Sequence, residues 1–388
     1  MDPVAKNRAV VWLRRLLLIA CLTSAALYVG RGRWLVGCGW LAVSLLPILA
    51  AAPRGRRRYF AAAAILLSAV LTVCFVAGLD LYLHRRFADA GGFNIWGYRG
   101  APLGRKRPGE RRVAMLGGSV AFGFGVRSNE TIPHYLQQRL NAAGGSPITV
   151  VNLGWNSEGA YSLPFTLKDY ENLDYDAAIL YSGYNDLVFN NQVFRHESAV
   201  FRLTGYLPIL SIVPIREWLH LSNLSDTNGG RVVFRPTLQD QYATEAADTA
   251  LRISQALDRE LARFTPGEER FTPQSVTTRP GDDLCAKPWG YYCRSVREAT
   301  DWALSQGKHV FIVTEPWKTE QHHEQQAALL GMVQQRFGGN PLVHYVDMGN
   351  SVDLRDRRLC YDGLHLTPIG NAQVADHLAP EIRALMKW

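Results

Sequence analysis

The sequence has no Cys-x-x-Cys pair, no His-Glu-x-x-His, no internal repeat and no low-complexity tract. Those absences remove the usual zinc and dithiol signatures and the repeat architectures. Acidic residues are nearly missing from the first 112 positions, which hold 4 Asp+Glu against 18 Lys+Arg. Residues 113–388 hold 30 against 24, so the whole formal charge of +8 is N-terminal. A nucleic-acid binder carries its basic patch on its folded domain, and here that part of the chain is acidic, so no nucleic-acid partner is expected.

What the N-terminal portion does have is long apolar runs: Val10–Val29, Trp34–Ala52 and Tyr59–Leu83. Each reaches the roughly 20 residues that cross a bilayer core, which predicts three transmembrane helices. Trp12, Trp34, Tyr59 and Tyr82 stand near their ends, where interfacial aromatics belong, and Arg14 and Arg15 can snorkel to the headgroups. Lys6, Arg8, Arg14 and Arg15 share a side with Arg54, Arg56, Arg57 and Arg58, against Arg31, Arg33, Arg85 and Arg86 opposite. The positive-inside bias therefore places the N-terminus in the cytoplasm. The reading is a multi-pass protein of the cytoplasmic (inner) membrane with its C-terminal domain extracytoplasmic, or periplasmic. The run LLLIACLTSAALYVG also has the texture of a cleaved signal peptide, which leaves the C-terminal domain on the same side.

At 388 residues the chain has room for two or three units. The expected organisation is a membrane region at 1–87, a Gly-, Arg- and Pro-containing linker at 88–111, and a folded domain at 112–388. In that domain RRVAML (111–116), ITVVNLG (148–154), AAILYSG (177–183), HVFIVT (309–314) and VHYVDM (343–348) read as strands. Four are nearly continuous in apolar character, as strands buried on both faces should be. Thr131–Ala143, Leu163–Leu173, Val296–Gln306, Gln321–Phe337 and a stretch from about Pro368 read as helices, the last with Thr367 as N-cap. This alternation predicts a parallel sheet covered by helices on both faces.

An insertion at about 187–292 interrupts the pattern. Its run FRLTGYLPILSIVPIREWLHL is too short to span and is broken by Pro208 and Pro214. It reads as a lid or extra core, or as a surface for the membrane or a membrane-bound partner. Ala250, Ile253, Leu257, Leu261 and Phe264 follow at helical spacing, a packing face. Cys285 and Cys293, eight apart, can pair in an oxidising compartment or stay free; Cys360 has no obvious partner. His322–Glu324, HHE, reads as the polar face of a helix rather than a metal site.

In open α/β sheets, chemistry collects at the carboxyl ends of the strands. Four polar features lie there: Ser119 in MLGGSVAFGFG, Gly154 in VVNLGWNSEG, Asn185 in LYSGYND, and Asp362 with His365 in DGLHLTPIGN. A serine hydroxyl needs a neighbouring base, and that base needs a third group to orient it and stabilise its charge. Acyl transfer also needs donors aimed at the developing alkoxide, each worth ~3–4 kcal/mol of barrier. The N–H groups of Ser119 and Gly154 and the amide of Asn185 could supply them.

Taken together and in order, these blocks resemble those of the SGNH hydrolases, or GDSL-type esterases, over about residues 110–388. The resemblance implies a three-layer α/β/α, flavodoxin-like domain. It implies Ser119 as nucleophile, His365 as base, Asp362 as its partner, and Ser119, Gly154 and Asn185 as the oxyanion hole, with no metal or cofactor. One departure is Gly118, where the family's first block has Asp before the serine. The implied activity is a membrane-anchored serine esterase or O-acyltransferase acting on acyl esters, often acetyl, of envelope glycan or lipid. An acyl-delivering membrane protein is an expected partner if the reaction is transfer. The alternatives are a lipase or lysophospholipase with an interfacial lid, and a non-catalytic scaffold binding glycan or a membrane partner.

Overall fold

The structure is a computed structural model that describes residues 57–88, 92–142, 144–187, 193–209, 285 and 288–386. The chain divides into two compact units, one formed by residues 1–83, 209–219 and 234–259 and the other by the remainder. In the first unit the described residues are Ile209 and 57–83, the greater part of helix α1, Arg57–Phe87. Its stretch Leu66–Arg85 has a mean hydropathy of 2.1 and is long enough to cross a membrane. Leu66, Leu67, Val70, Leu71, Val73 and Phe75 are all exposed along it, a surface that water disfavours. This stretch overlaps the third of the three runs expected to span; the other two, Val10–Val29 and Trp34–Ala52, lie outside the described residues.

The second unit is built on five parallel strands: β1 Arg111–Gly117, β2 Ile148–Asn152, β3 Ala177–Tyr181, β4 His309–Val313 and β5 Val343–Val346. Their order across the sheet is β2-β1-β3-β4-β5, the flavodoxin-like winding. Each of the five apolar runs read as a strand is one. They form because Val, Ile, Leu and Ala fill both faces: β3 is buried at every position and β1 at all but its first.

Helices α2 Ser119–Phe122, α3 Ile132–Asn141 and α4 Leu163–Asp169 follow β1 and β2. Next come α5 Tyr184–Leu187, α6 Phe194–Glu197 and α7 Ala199–Thr204, then α8 Gly290–Ser305, α9 Glu320–Phe337 and α10 Pro368–Met386. The α3 helix packs on α10 over one sheet face; α4, α8 and α9 cover the other. Val113, Met115, Ile179, Phe311, Leu136, Leu378 and Ile382 make the core of the first interface. Thr367 caps α10 as read, its Oγ1 accepting from Gly370 N at 3.2 Å.

Two expectations change, and one open alternative is narrowed. The segment taken as a linker is folded into this unit from residue 92: Phe93, Tyr98 and Arg99 are buried, and Arg99 pairs antiparallel with Asn152 along β2. The reason is that β2 is an edge strand, and the connector covers its unpaired groups. Within the insertion, 188–192, 210–284 and 286–287 lie outside the described residues, among them the face from Ala250 to Phe264. Of the readings open for it, the described part, with α6 and α7, fits extra core: Val193, Arg195, Phe201 and Leu207 are buried, while Leu203 is exposed. His322, read on a polar helix face, is buried against the Tyr184 ring at 4.7 Å; its neighbour His323 carries the exposed side. Cys285 and Cys293, left open above, form a disulfide.

Candidate active site

In this strand order the winding switches sides between β1 and β3, so their carboxyl ends bound the crevice where such sheets bind ligands. Gly117 and Tyr181 are register partners at those ends. Ser119 and Asn185 therefore leave the sheet side by side, two and four residues further on.

Ser119 is the first residue of α2 and is half-buried. As a helix-opening residue its N–H has no acceptor within the helix and is free to face a developing anion. Across the crevice, a tight turn is closed by pairing of Cys360 with Leu366 and by Tyr361 N donating to His365 O at 3.2 Å. The turn presents Asp362 and His365 together. Its Tyr361 hydroxyl also donates to Phe124 O, tying it to the loop after α2.

The resulting chain of hydrogen bonds is continuous. His365 Nδ1 donates to Asp362 Oδ2 at 2.6 Å, which leaves Nε2 to accept from the Ser119 hydroxyl at 2.9 Å. Asp362 Oδ1 also accepts the N–H groups of Leu364 and His365, at 3.0 and 2.7 Å. Burial works against the carboxylate, but the His365 ring and these N–H groups outweigh it and bring the Asp362 pKa down to about 2. The His365 ring packs 4.7 Å from Phe124, which limits its rotation. A serine in this setting can be deprotonated as it attacks.

The expected oxyanion donors differ in state. Asn185 Nδ2 gives one hydrogen to Glu158 O at 2.9 Å and lies against Gly118, next to the nucleophile. A Cβ at Gly118 would be 2.3 Å from that nitrogen, so any larger residue there requires the amide to move. Gly154 N–H donates to Asn152 Oδ1 at 3.1 Å, so one of the expected donors already has an acceptor. Gly154 is glycine for a packing reason: a Cβ would lie 2.4 Å from Phe122 N in α2.

Sequence reasoning missed the groups that hold these loops. Arg99 is buried and donates to Phe122 O and Gly123 O, both at 2.6 Å, and to Val126 O. It thereby caps the end of α2, and burial lowers its pKa to about 9. Arg195, in the insertion, is likewise buried and bonded to main-chain carbonyls. Asp186 accepts Ala160 N with both oxygens, and Glu315, at the end of β4, accepts Tyr184 N at 2.7 Å. Nothing in the local sequence marks such residues; an arginine inside an aromatic stretch such as VFRHESAVF is the faint signal that was there. Among the described residues no group of three or more His, Cys, Asp or Glu forms a metal site.

No family profile matches the chain, and no curated protein does. Solved structures align with much of the chain at low identity and with TM-scores below 0.4. A family 3 carbohydrate esterase from Clostridium thermocellum is 14% identical, with a TM-score of 0.39 over 72% of this chain and 98% of that one. A lipolytic protein of the G-D-S-L family from Desulfitobacterium hafniense DCB-2 is 12% identical, with a TM-score of 0.36 over 69% and 98%. The lipase Lip_vut3 from a goat rumen metagenome is 11% identical, with a TM-score of 0.33 over 71% and 97%. These neighbours are GDSL-type lipolytic proteins, carbohydrate esterases and lipases. At identities of 11–14%, the chemistry has to be read from the side chains of this chain.

Proposed function

We propose that the protein is a membrane-anchored serine esterase or O-acyltransferase whose folded unit faces out of the cytoplasm. The observation that carries the reading is the Ser119–His365–Asp362 chain, with links of 2.9 and 2.6 Å. Ser119 Oγ attacks the carbonyl carbon of an ester while its proton passes to His365 Nε2. The carbonyl electron pair becomes an alkoxide, received by the Ser119 N–H, the second Asn185 N–H, and Gly154 N–H shared with Asn152 Oδ1. As the alkoxide collapses, the ester oxygen leaves with the proton from Nε2, and the acyl group stays on Ser119. Water or a sugar hydroxyl, deprotonated by the same nitrogen, then takes the acyl group and regenerates the serine.

The site is shallow. The Asp362 side chain is 44% exposed and Ser119 half-buried, which admits a bulky acceptor such as an envelope glycan. A small acyl group, acetyl, suits the reading. Outward orientation is supported by the positive-inside bias, by the apolar helix Leu66–Arg85 and by the Cys285–Cys293 disulfide, which belongs in an oxidising compartment.

The test is labelling with a fluorophosphonate and mass spectrometry of the modified peptide, expected on Ser119 in the wild type and absent in Ser119→Ala. Turnover of an acetyl ester with and without a glycan acceptor then separates the two activities. Acetyl recovered only as free acetate makes the protein a hydrolase. Preference for long-chain esters that rises on micelle formation would replace the glycan reading with a lipase. An unlabelled wild type, with Ser119→Ala restoring a deletion strain, would make it a scaffold.

A further inference from the structure

Arg195 is among the most deeply buried side chains of the described protein, 1% exposed. Burying a guanidinium costs several kcal/mol unless its donors are used, and a space-filling role here would be met by leucine or methionine. Nε and Nη2 donate to main chain only, while Nη1 makes no hydrogen bond and faces a carboxylate. Nε donates to Gly97 O at 2.8 Å, and Nη2 to Leu153 O and Gly154 O at 2.8 and 3.0 Å. The guanidinium carbon sits 4.7 Å from the centre of the Trp155 ring and 5.4 Å from that of Tyr170, and Glu158 Oε2 is 3.8 Å from Nη1.

Those two carbonyls are consecutive, and that matters. A peptide unit is planar and trans, so its C=O and N–H point in opposite directions. Holding Leu153 O therefore directs the Gly154 N–H away from the guanidinium. Holding Gly154 O likewise directs the Trp155 N–H, which donates to Gly117 O at 2.9 Å, two residues before the nucleophile. Leu153 N donates to Met115 O at 2.8 Å on the same strand. The loop after β2 is thus hung between β1 on one side and a single guanidinium on the other.

We infer that Arg195 is a positioning residue for the oxyanion hole: supplied by the insertion, it sets the direction of the Gly154 N–H by gripping two successive carbonyls. The inference rests on the esterase reading above. It also gives the described part of the insertion a role in rate rather than in substrate access. Without the guanidinium, both buried carbonyls lose their donor, and each peptide plane is held by its N–H end alone, through Asn152 Oδ1 and Gly117 O. Substrate affinity, which does not depend on the alkoxide, should be nearly unaffected.

The experiment uses the full chain in detergent, with p-nitrophenyl acetate as substrate and a fluorophosphonate to count competent Ser119. Arg195→Lys keeps the charge but not the planar fork. Arg195→Gln keeps an NH₂ donor without a buried charge and serves if the lysine variant does not fold. Val333→Ala, a core change in α9, is the control for lost stability alone. Arg195→Lys or Arg195→Gln is expected to lower kcat about 100-fold, with KM within about three-fold of wild type. Val333→Ala is expected to lower Tm and leave kcat unchanged. A labelled wild type with Arg195-variant kcat reduced less than about ten-fold overturns this inference alone. A wild type with neither labelling nor turnover overturns the esterase reading and this inference with it.

Discussion

Gly118 and Asn185 touch at the shoulder of the nucleophile. A Cβ at position 118 would come within 2.3 Å of Asn185 Nδ2 and 2.9 Å of Glu158 O, the carbonyl that holds that amide. A side chain at position 118 and the proposed oxyanion amide therefore compete for one space. Gly118→Ala and Gly118→Asp should displace the amide and lower kcat by about 10²–10³, the loss typical of one oxyanion donor. Steady-state kinetics beside Asn185→Ala checks this. The two changes should be equally damaging and far from additive when combined.

Gly154 makes the opposite kind of contact, against backbone. A Cβ there meets Phe122 N at 2.4 Å and Ala121 C at 2.8 Å, which cannot yield as a side-chain tip can. Gly154→Ala should destabilise the protein by about 1–3 kcal/mol, seen as a lowered unfolding midpoint in denaturant, besides lowering activity.

Stability carried by the buried carboxyls should fall as pH rises from about 4 to about 8, the reverse of a protein dominated by exposed ion pairs. Burial raises Glu158 to about 7 against the pull of Arg195. It raises Asp186 to about 7 against the Ala160 N–H, and Glu315 to about 8 against the Tyr184 N–H. A carboxyl with a raised pKa contributes stability fully below its unfolded value, and this is lost as pH passes through the folded value. The buried His322, lowered to about 4 chiefly by burial, adds stability as pH rises from about 4 to 6.5, offsetting one of the three carboxyls over that range and none of the loss above it. Asp362, lowered to about 2, acts the other way and only in acid: its contribution is lost as pH falls from about 4 through 2. Tm measured against pH should show the decline, and Glu315→Gln should flatten it by on the order of 1–2 kcal/mol.

The Cys285–Cys293 bridge closes a short loop at the start of α8. Replacing both cysteines by serine should cost about 2–3 kcal/mol, mostly through the freer unfolded chain. Peptide mapping without reductant should recover the two cysteines linked, and Cys360, buried and unpaired, as a free thiol.

Much of the site could be read before any fold was known, because its parts sit where local pattern changes. Val113–Leu116 and Ala177–Tyr181 are apolar without interruption since both faces of their strands are covered, and Ser119 and Asn185 follow where each run stops. Asp362 and His365 were legible for a similar reason, standing just before a capped helix. Arg99, Arg195, Glu315 and His322 were not. A buried arginine and a solvated one have the same letter, and the HHEQQ run has the look of a wet helix face although His322, Gln325 and Gln326 are all inside.

The sequence by itself determined which segments become strands and which chemical groups stand at their ends, because periodicity and turn residues act over a few positions. Tertiary structure alone decided that Ser119 meets a histidine 246 residues away, and that Arg195 holds Leu153 and Gly154 from 41 or 42 residues down the chain. The reason is that a hydrogen-bonding group takes whichever partner the folded chain leaves within 3 Å once water is excluded, and chain distance carries no information about that choice.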